Sequence, residues 1–409
     1  MLLATMFCYL FYYTGRQTFG FAIPGISEEL GLSKTKLGFA SAVLFWCYAV
    51  GQAVNGNLGD KFGGRKLMSL GAVLSCGLNW VVSFGQSLSS LLIPWGINGV
   101  AQSMGWAPGS RIISNWWDHR ERGKAYGLYV FAAGMSSVLA FTTSLIVLKL
   151  LHLDWRWIFR LPVLLLLIGG LAFYLVVRNR PEDLGFTRDA EEGDESGDRS
   201  EGDESPTAQA AESSLARYLE VLRNRRFLVA SLAIGFQNFA RYGLLIWVPV
   251  YFLGTNWKKA DDTAWISIAL AVGMAIGALT NGWLSDKVFK SRRSPLISLF
   301  MFLAAVCTGA MYFISKDNVV PATVLLFLSG FFVYGPQSGF WALCPDLLGS
   351  KRAATATGMM NFVAYAFAGL EGIVIGFAID RSDGESIVVF PIVAAACMIC
   401  GVIGLFIRR

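Results

Sequence analysis

The chain has 409 residues, 55% of them apolar or aromatic and only 15% charged, with a formal net charge of +6. An ordinary soluble domain carries roughly a quarter charged residues, which argues against a soluble fold, and the basic residues lie between apolar stretches, where they encode membrane topology rather than nucleic-acid binding. All seven cysteines (Cys8, Cys47, Cys76, Cys307, Cys344, Cys397 and Cys400) fall inside apolar stretches and the two histidines, His119 and His152, fall in loops, so no disulfide framework, metal site or cofactor is expected.

Apolar stretches near 20 residues recur from end to end, the length that crosses about 30 Å of hydrocarbon. They predict helices over 2–23, 37–58, 67–85, 88–110, 125–149, 156–177, 228–252, 264–284, 296–315, 319–342, 354–378 and 387–407. This is an all-α polytopic membrane protein with twelve transmembrane helices. Residues 1–177 form an N-terminal half of six helices and 227–409 a C-terminal half. The segment 178–226 is a cytoplasmic linker whose middle, Asp189 to Glu212, is acidic, has no apolar face and is expected to be disordered.

Basic residues near helix ends are retained in the cytoplasm. The loops after helices 2, 4, 6, 8 and 10, with the C-terminus, hold 23 of the 34 Lys and Arg, and the opposite loops hold 9. Both termini are therefore expected in the cytoplasm, and a bacterial plasma membrane is the expected location. The first apolar run lacks a small-residue cleavage site, so no cleavable signal is expected; it also lacks a polar leader, which suggests a longer natural N-terminus.

The two halves repeat. Asn55-Gly56-Asn57-Leu58-Gly59-Asp60-Lys61 returns as Asn281-Gly282-Trp283-Leu284-Ser285-Asp286-Lys287, an offset of 281 − 55 = 226. Arg16 with Pro24 returns as Arg241 with Pro249, an offset of 241 − 16 = 225. Two parallel six-helix halves, pseudo-symmetric about an axis along the membrane normal, describe the major facilitator architecture, with its site between the halves near the midplane. The run from Gly56 to Lys66 resembles the signature loop of that superfamily. Gly56, Asp60, Lys61, Gly63 and Arg65, with Asp286 and Lys287 in the second copy, are candidates for a gating latch in which charges pair with helix ends that separate during rocking; the competing reading is a topology signal alone.

Arg16 and Arg241 are the two basic residues inside predicted helices. An arginine at the centre of a membrane helix costs roughly 2.5–3.5 kcal/mol on insertion scales, so it lines a cavity or finds a partner. The repeat sets these two opposite each other, and a guanidinium fork binds phosphate bidentately, which predicts a clamp for a dianion. On a continuous helix Tyr9 and Tyr13 share a face with Arg16. Gln52 and Asn238 join them as candidate substrate contacts.

At these residues the chain resembles the organophosphate:phosphate antiporter branch of the superfamily, which includes glycerol-3-phosphate and hexose-phosphate exchangers. The matching elements are Tyr12-Tyr13-x-x-Arg16, Gln102-x-x-Gly105-Trp106-x-Pro108-x-x-Arg111, Trp116-Trp117 with Glu121-Arg122-Gly123, Arg180-Pro181-Glu182-Asp183-x-Gly185, Arg241-Tyr242-Gly243 and Tyr334-Gly335-Pro336. The resemblance implies that Arg16 and Arg241 hold phosphate, with Tyr13, Trp106, Tyr129 and Tyr334 lining the site. Three positions depart from it: Gln17, Gln52 and Ala133 stand where the family places two lysines and a histidine, so the cavity has fewer cations.

Glu371, in the middle of helix 11, has three competing readings: a salt bridge within the C-terminal half, which the sequence favours, a partner for a substrate ammonium, or a proton-coupling site. The expected function is secondary transport of an organic phosphate or phosphonate in exchange for inorganic phosphate, by a protein expected to be monomeric. A proton-coupled symporter of organic anions such as sugar acids and a non-transporting sugar-phosphate sensor are the alternatives. No base, nucleophile and oxyanion set can be assembled, so an enzyme is not expected.

Overall fold

A computed structural model describes residues 1–117, 119–185, 214–254, 262–289, 293–315 and 318–407. The middle of the acidic linker lies outside them. Among the described residues there are helices and no strands, and eight helical stretches are long and apolar enough to cross a membrane. Helix 2 is Lys34–Phe62, helix 3 Gly64–Ser83, helix 5 His119–Leu145 and helix 6 Pro162–Val176. Helix 7 is Arg225–Leu253, helix 8 Ser267–Lys287, helix 9 Arg293–Ala310 and helix 12 Val389–Leu405.

Helices 1, 4 and 10 are discontinuous, which the apolar pattern did not anticipate. Helix 1 consists of Leu2–Tyr12 and Phe19–Leu30, joined by a 3₁₀ turn at Tyr13–Gly15. Helix 4 consists of Leu88–Ser103 and Trp106–Trp116. Its break falls where Pro108, lacking an N–H, cannot bond back to residue 104. Helix 10, Val319–Tyr334, stops at Gly335-Pro336. Gln337–Arg381 then carries the end of the tenth span, the connection and helix 11 as one run of helical hydrogen bonding.

Packing repeats with the sequence. In the N-terminal half helix 2 packs on helix 4, helix 3 on helices 4 and 6, and helix 1 on helix 6; in the C-terminal half the same contacts join 8 with 10, 9 with 10 and 12, and 7 with 12. Across the halves helix 2 meets helix 11 and helix 5 meets helix 8, a symmetry-related pair, and the second piece of helix 1 meets helix 7.

The end of the bundle opposite the chain termini is sealed. A Cβ on Gly38 of helix 2 would run into the Gly372 carbonyl of helix 11, and one on Gly20 would run into the Ile246 carbonyl of helix 7. Only glycine permits backbones to approach so closely. Asp380, at the end of helix 11, then caps the start of helix 2: its carboxylate accepts from the backbone N–H of Lys34 (2.9 Å) and Thr35 (2.8 Å) and from the Thr35 hydroxyl (2.6 Å). Towards the termini, by contrast, the second piece of helix 4 packs mainly on helices 1, 2, 3 and 5 of its own half.

Candidate functional site

Arg16 lies at the break of helix 1, with a backbone (φ −144°) that is neither helical nor extended into a strand. The break frees the Gly15 carbonyl, and a buried carbonyl needs a donor. Two amides supply it, Asn98 Nδ2 at 2.8 Å and Asn79 Nδ2 at 3.1 Å. Ser75 donates to Asn98 Oδ1 (2.7 Å) and Gln102 to Ser75 (2.7 Å), so helices 3 and 4 hold the bend through a relay. A Cβ on Gly15 would stand 2.5 Å from Gln102 Nε2, which leaves glycine as the residue that fits. Arg241, its counterpart, sits in an unbroken helix 7. The repeat in sequence therefore produces two different backbones.

The two arginines share one wall. Arg16 lies over the rings of Tyr13 (4.2 Å) and Tyr48 (4.8 Å), and Arg241 over Tyr334 (4.2 Å) and Tyr242 (4.8 Å). Tyr13, Tyr242 and Tyr365 interact with both guanidiniums. Tyr365 stacks at 4.4 Å on Tyr48 of the other half and accepts from the Tyr242 hydroxyl at 3.3 Å. Arg16 is 5% exposed and Arg241 4%. Among the described residues neither has a carboxylate partner, and Arg16 Nε, one Arg16 terminal nitrogen and Arg241 Nε make no hydrogen bond. Buried guanidinium donors facing only aromatic rings and hydroxyls make a site for an anion.

The structure thus brings together Arg16, Arg241, Tyr13 and Tyr334 of the residues expected from the sequence, and adds Tyr48, Tyr242 and Tyr365. Tyr242 is signalled by its place beside Arg241. Tyr48 and Tyr365 have no local signal; tertiary packing of helix 2 on helix 11 brings the two rings together beside the arginines. Tyr9 and Tyr129 lie one layer behind. Tyr9 packs on Tyr129 (4.8 Å) and Trp106 (5.5 Å) and interacts with Tyr13 and Arg16. Trp106 and Tyr129 stack on each other at 4.9 Å, and the Tyr129 hydroxyl donates to the Gly105 carbonyl. Asn238 is committed within its own half, its amide donating to the Ile234 carbonyl and to Gln237 Oε1. Gln17 is buried with neither side-chain amide atom bonded, and Gln52 Nε2 is likewise buried and unbonded.

Glu371 does not join the arginines. It is fully buried, its Oε2 accepts from Trp247 Nε1 at 3.0 Å, and its Oε1 has no partner. The salt bridge that the sequence favoured is not formed, because the residues surrounding this turn of helix 11 are Trp247, Gly243 and apolar side chains of helix 12 rather than a cation.

Of the loop candidates, the side chains of Gly56, Asp60, Lys61 and Asp286 lie outside the described residues, and Lys287 is exposed. Gly63 turns the chain with φ +84°, a conformation suited to glycine. Arg65 binds the end of helix 6: its Nε donates to the Tyr174 carbonyl (2.7 Å), its N–H to Asn179 Oδ1 (3.0 Å), and its guanidinium covers the Tyr174 ring. Asn115 and Trp116 donate to the Asn179 and Arg178 carbonyls from helix 4. These contacts stay inside the N-terminal half.

Among the described residues, apolar spans in two repeating halves with two buried arginines between them define an integral membrane protein built from parallel repeats. The chain belongs to the Major Facilitator Superfamily, whose family model matches residues 5–373. It is 28% identical over 383 residues to a probable hexose phosphate transport protein of Chlamydia pneumoniae, covering 91% of this chain and 83% of that one. It is 29% identical over 385 residues to a glycerol-3-phosphate transporter of Bacillus subtilis, covering 91% and 84%. The fold is similar to that of a bacterial homologue of the human lysosomal transporter Spinster, solved inward-facing and unoccupied, with a TM-score of 0.79 at 16% identity over 100% of this chain and 98% of that one.

Proposed function

We propose that the protein is a secondary transporter of organic phosphates or phosphonates that exchanges them for inorganic phosphate by alternating access. The observation that carries this reading is the pair of buried, unpaired guanidiniums sharing Tyr13, Tyr242 and Tyr365. Two permanent positive charges with unused donors match the charge and hydrogen-bonding needs of a phosphoryl dianion. The relatives named as hexose phosphate and glycerol-3-phosphate transporters support the same class.

The distribution of Lys and Arg supports cytoplasmic termini, and the bacterial relatives support a bacterial plasma membrane. The sealed end is then the outer face, and the structure faces inward. Because Arg16 belongs to one half and Arg241 to the other, an anion held by both favours closure of the halves around it. An empty site leaves two like charges facing each other in a low-dielectric layer, which opposes the return step and makes exchange faster than net flow. Candidate contacts of the transported molecule are Arg16, Arg241, Tyr13, Tyr334, Tyr48, Tyr242 and Tyr365, with Gln17 and Gln52 as neutral hydrogen-bonding groups.

The test is uptake into proteoliposomes. Vesicles loaded with inorganic phosphate should accumulate labelled glycerol 3-phosphate, hexose phosphate or an aminophosphonate, while vesicles without internal phosphate should not. Accumulation driven by a pH gradient without internal phosphate would assign the protein to proton-coupled symport instead. A ligand of the site should also raise thermal stability, by about 2.7 kcal/mol at a hundred times its dissociation constant.

A further inference from the structure

We propose that Glu371 is a proton-binding site linked to the outer seal: closing the seal buries Glu371 as the neutral acid, and opening it returns the proton to the outer solution. The argument starts from position. Glu371 precedes Gly372, the residue whose backbone meets Gly38 at the crossing of helices 2 and 11, and its carboxyl turns to Trp247, whose neighbour Ile246 meets Gly20 at the crossing of helices 1 and 7, so it lies at the depth of the seal between the two crossings. It is 0% exposed, has one donor, the Trp247 indole, and leaves Oε1 unbonded.

A carboxylate removed from water needs a cation or several donors, and otherwise takes up a proton. No charged neighbour meets that need. From helix 7 the candidates are Arg241 and Tyr242, which face the tyrosine layer. From helix 2 they are Lys34, at the capped start of the helix, and Tyr48, which stacks on Tyr365. Helix 11 itself offers Tyr365, engaged with Tyr242, and Asp380, engaged with Thr35; helix 12 offers Cys397 and Cys400, of which Cys400 donates to the Ala233 carbonyl. Among the described residues Trp247 is the one side chain with a polar contact to Glu371.

Separation of helices 2 and 11 opens the crossing at Gly38 and Gly372 and admits water beside Glu371, where the carboxylate is hydrated and gives up its proton. The proton enters from and leaves to the same side, so the cycle balances without net proton transport. By linkage, outer acid favours the closed seal and outer base favours opening.

This consequence for flux rests on the alternating-access reading, whereas the protonation state is measured without it. Infrared spectra of the purified wild-type protein at neutral pH should contain a carboxylic-acid C=O band that moves on labelling glutamate with ¹³C and is missing in Glu371→Gln. Trp247→Phe, which removes the donor, should shift that band without abolishing it. In oriented vesicles, acidifying the outer face should slow phosphate exchange of the wild type about fivefold, with the dependence abolished in Glu371→Gln. An unchanged acid band in Glu371→Gln, or pH sensitivity retained by that variant, would overturn the proposal. Absence of any exchange in the wild type would instead count against the transport reading and leave the infrared result to decide the site.

Discussion

The sealed end and the arginine layer lie a few helical turns apart on the same helices, yet their polar groups are treated in opposite ways. In the seal, Asp380 is saturated by two backbone donors and a hydroxyl, and glycines bring helix backbones into direct contact. In the arginine layer, two guanidiniums are buried with donors unused and, among the described residues, without a carboxylate partner. A satisfied polar group fixes one arrangement of the halves, whereas an unsatisfied one raises the free energy of the empty site until something else supplies the missing partner. The comparison also separates the loop residue Arg65, tied to helix 6, from Arg16 and Arg241: three arginines of one chain, of which the first is a brace and the other two are poised for a ligand.

The comparison breaks most visibly at the arginines. Arg16→Lys and Arg241→Lys should each lower phosphate exchange by about ten- to a hundredfold or more, since each loses charge-assisted hydrogen bonds worth about 1.5–3 kcal/mol while retaining its charge. Labelled-phosphate counterflow, with gel filtration as the check on folding, measures this. Near-normal exchange by both lysine variants would remove the clamp. A smaller effect is expected at the support of the helix 1 bend. Asn98→Ala should destabilise the protein by about 1–2 kcal/mol and weaken phosphate binding, because Gly15 loses one of its two donors; combined with Asn79→Ala the losses should not add, as both amides serve one carbonyl.

In the seal, Asp380→Ala should cost about 1 kcal/mol, the usual value of a helix cap, and should raise labelling of a cysteine placed at Lys36, on the outer end of helix 2. It should leave phosphate affinity unchanged, which distinguishes a gate contact from a site contact. The smallest effect is expected from the linker. Cutting the chain between Asp189 and Glu212 and co-expressing the halves should preserve exchange, because that segment has no apolar face to bury and serves as a tether. Halves that assemble without transporting would give the linker a role.

The span count, the repeat of the halves and the two arginines were legible in the sequence, because length, apolar content and a charge inside an apolar run are local properties. Tyr13 followed from its spacing to Arg16, and Tyr334 from the family resemblance. The same spacing put Tyr9 beside Tyr13, where it interacts with Arg16 and also packs on Tyr129 and Trp106. Nothing local reports the break at Tyr13–Gly15, which is stabilised by Asn79 and Asn98 from two other helices.

The tertiary structure alone decided three matters. Tyr48 and Tyr365 meet each other beside the arginines because helices 2 and 11 pack side by side between the halves, a pairing between residues more than three hundred positions apart. Glu371 carried the same sequence signal as the arginines, an ionisable group in an apolar helix, but packing gave it an indole rather than a cation or the substrate layer. The repeat fixed the equivalence of Arg16 and Arg241, and packing gave one a broken helix and the other a continuous one. Sequence sets which groups are too polar for lipid; which of them find partners depends on what distant helices bring within hydrogen-bonding distance, and that is a property of the assembled bundle.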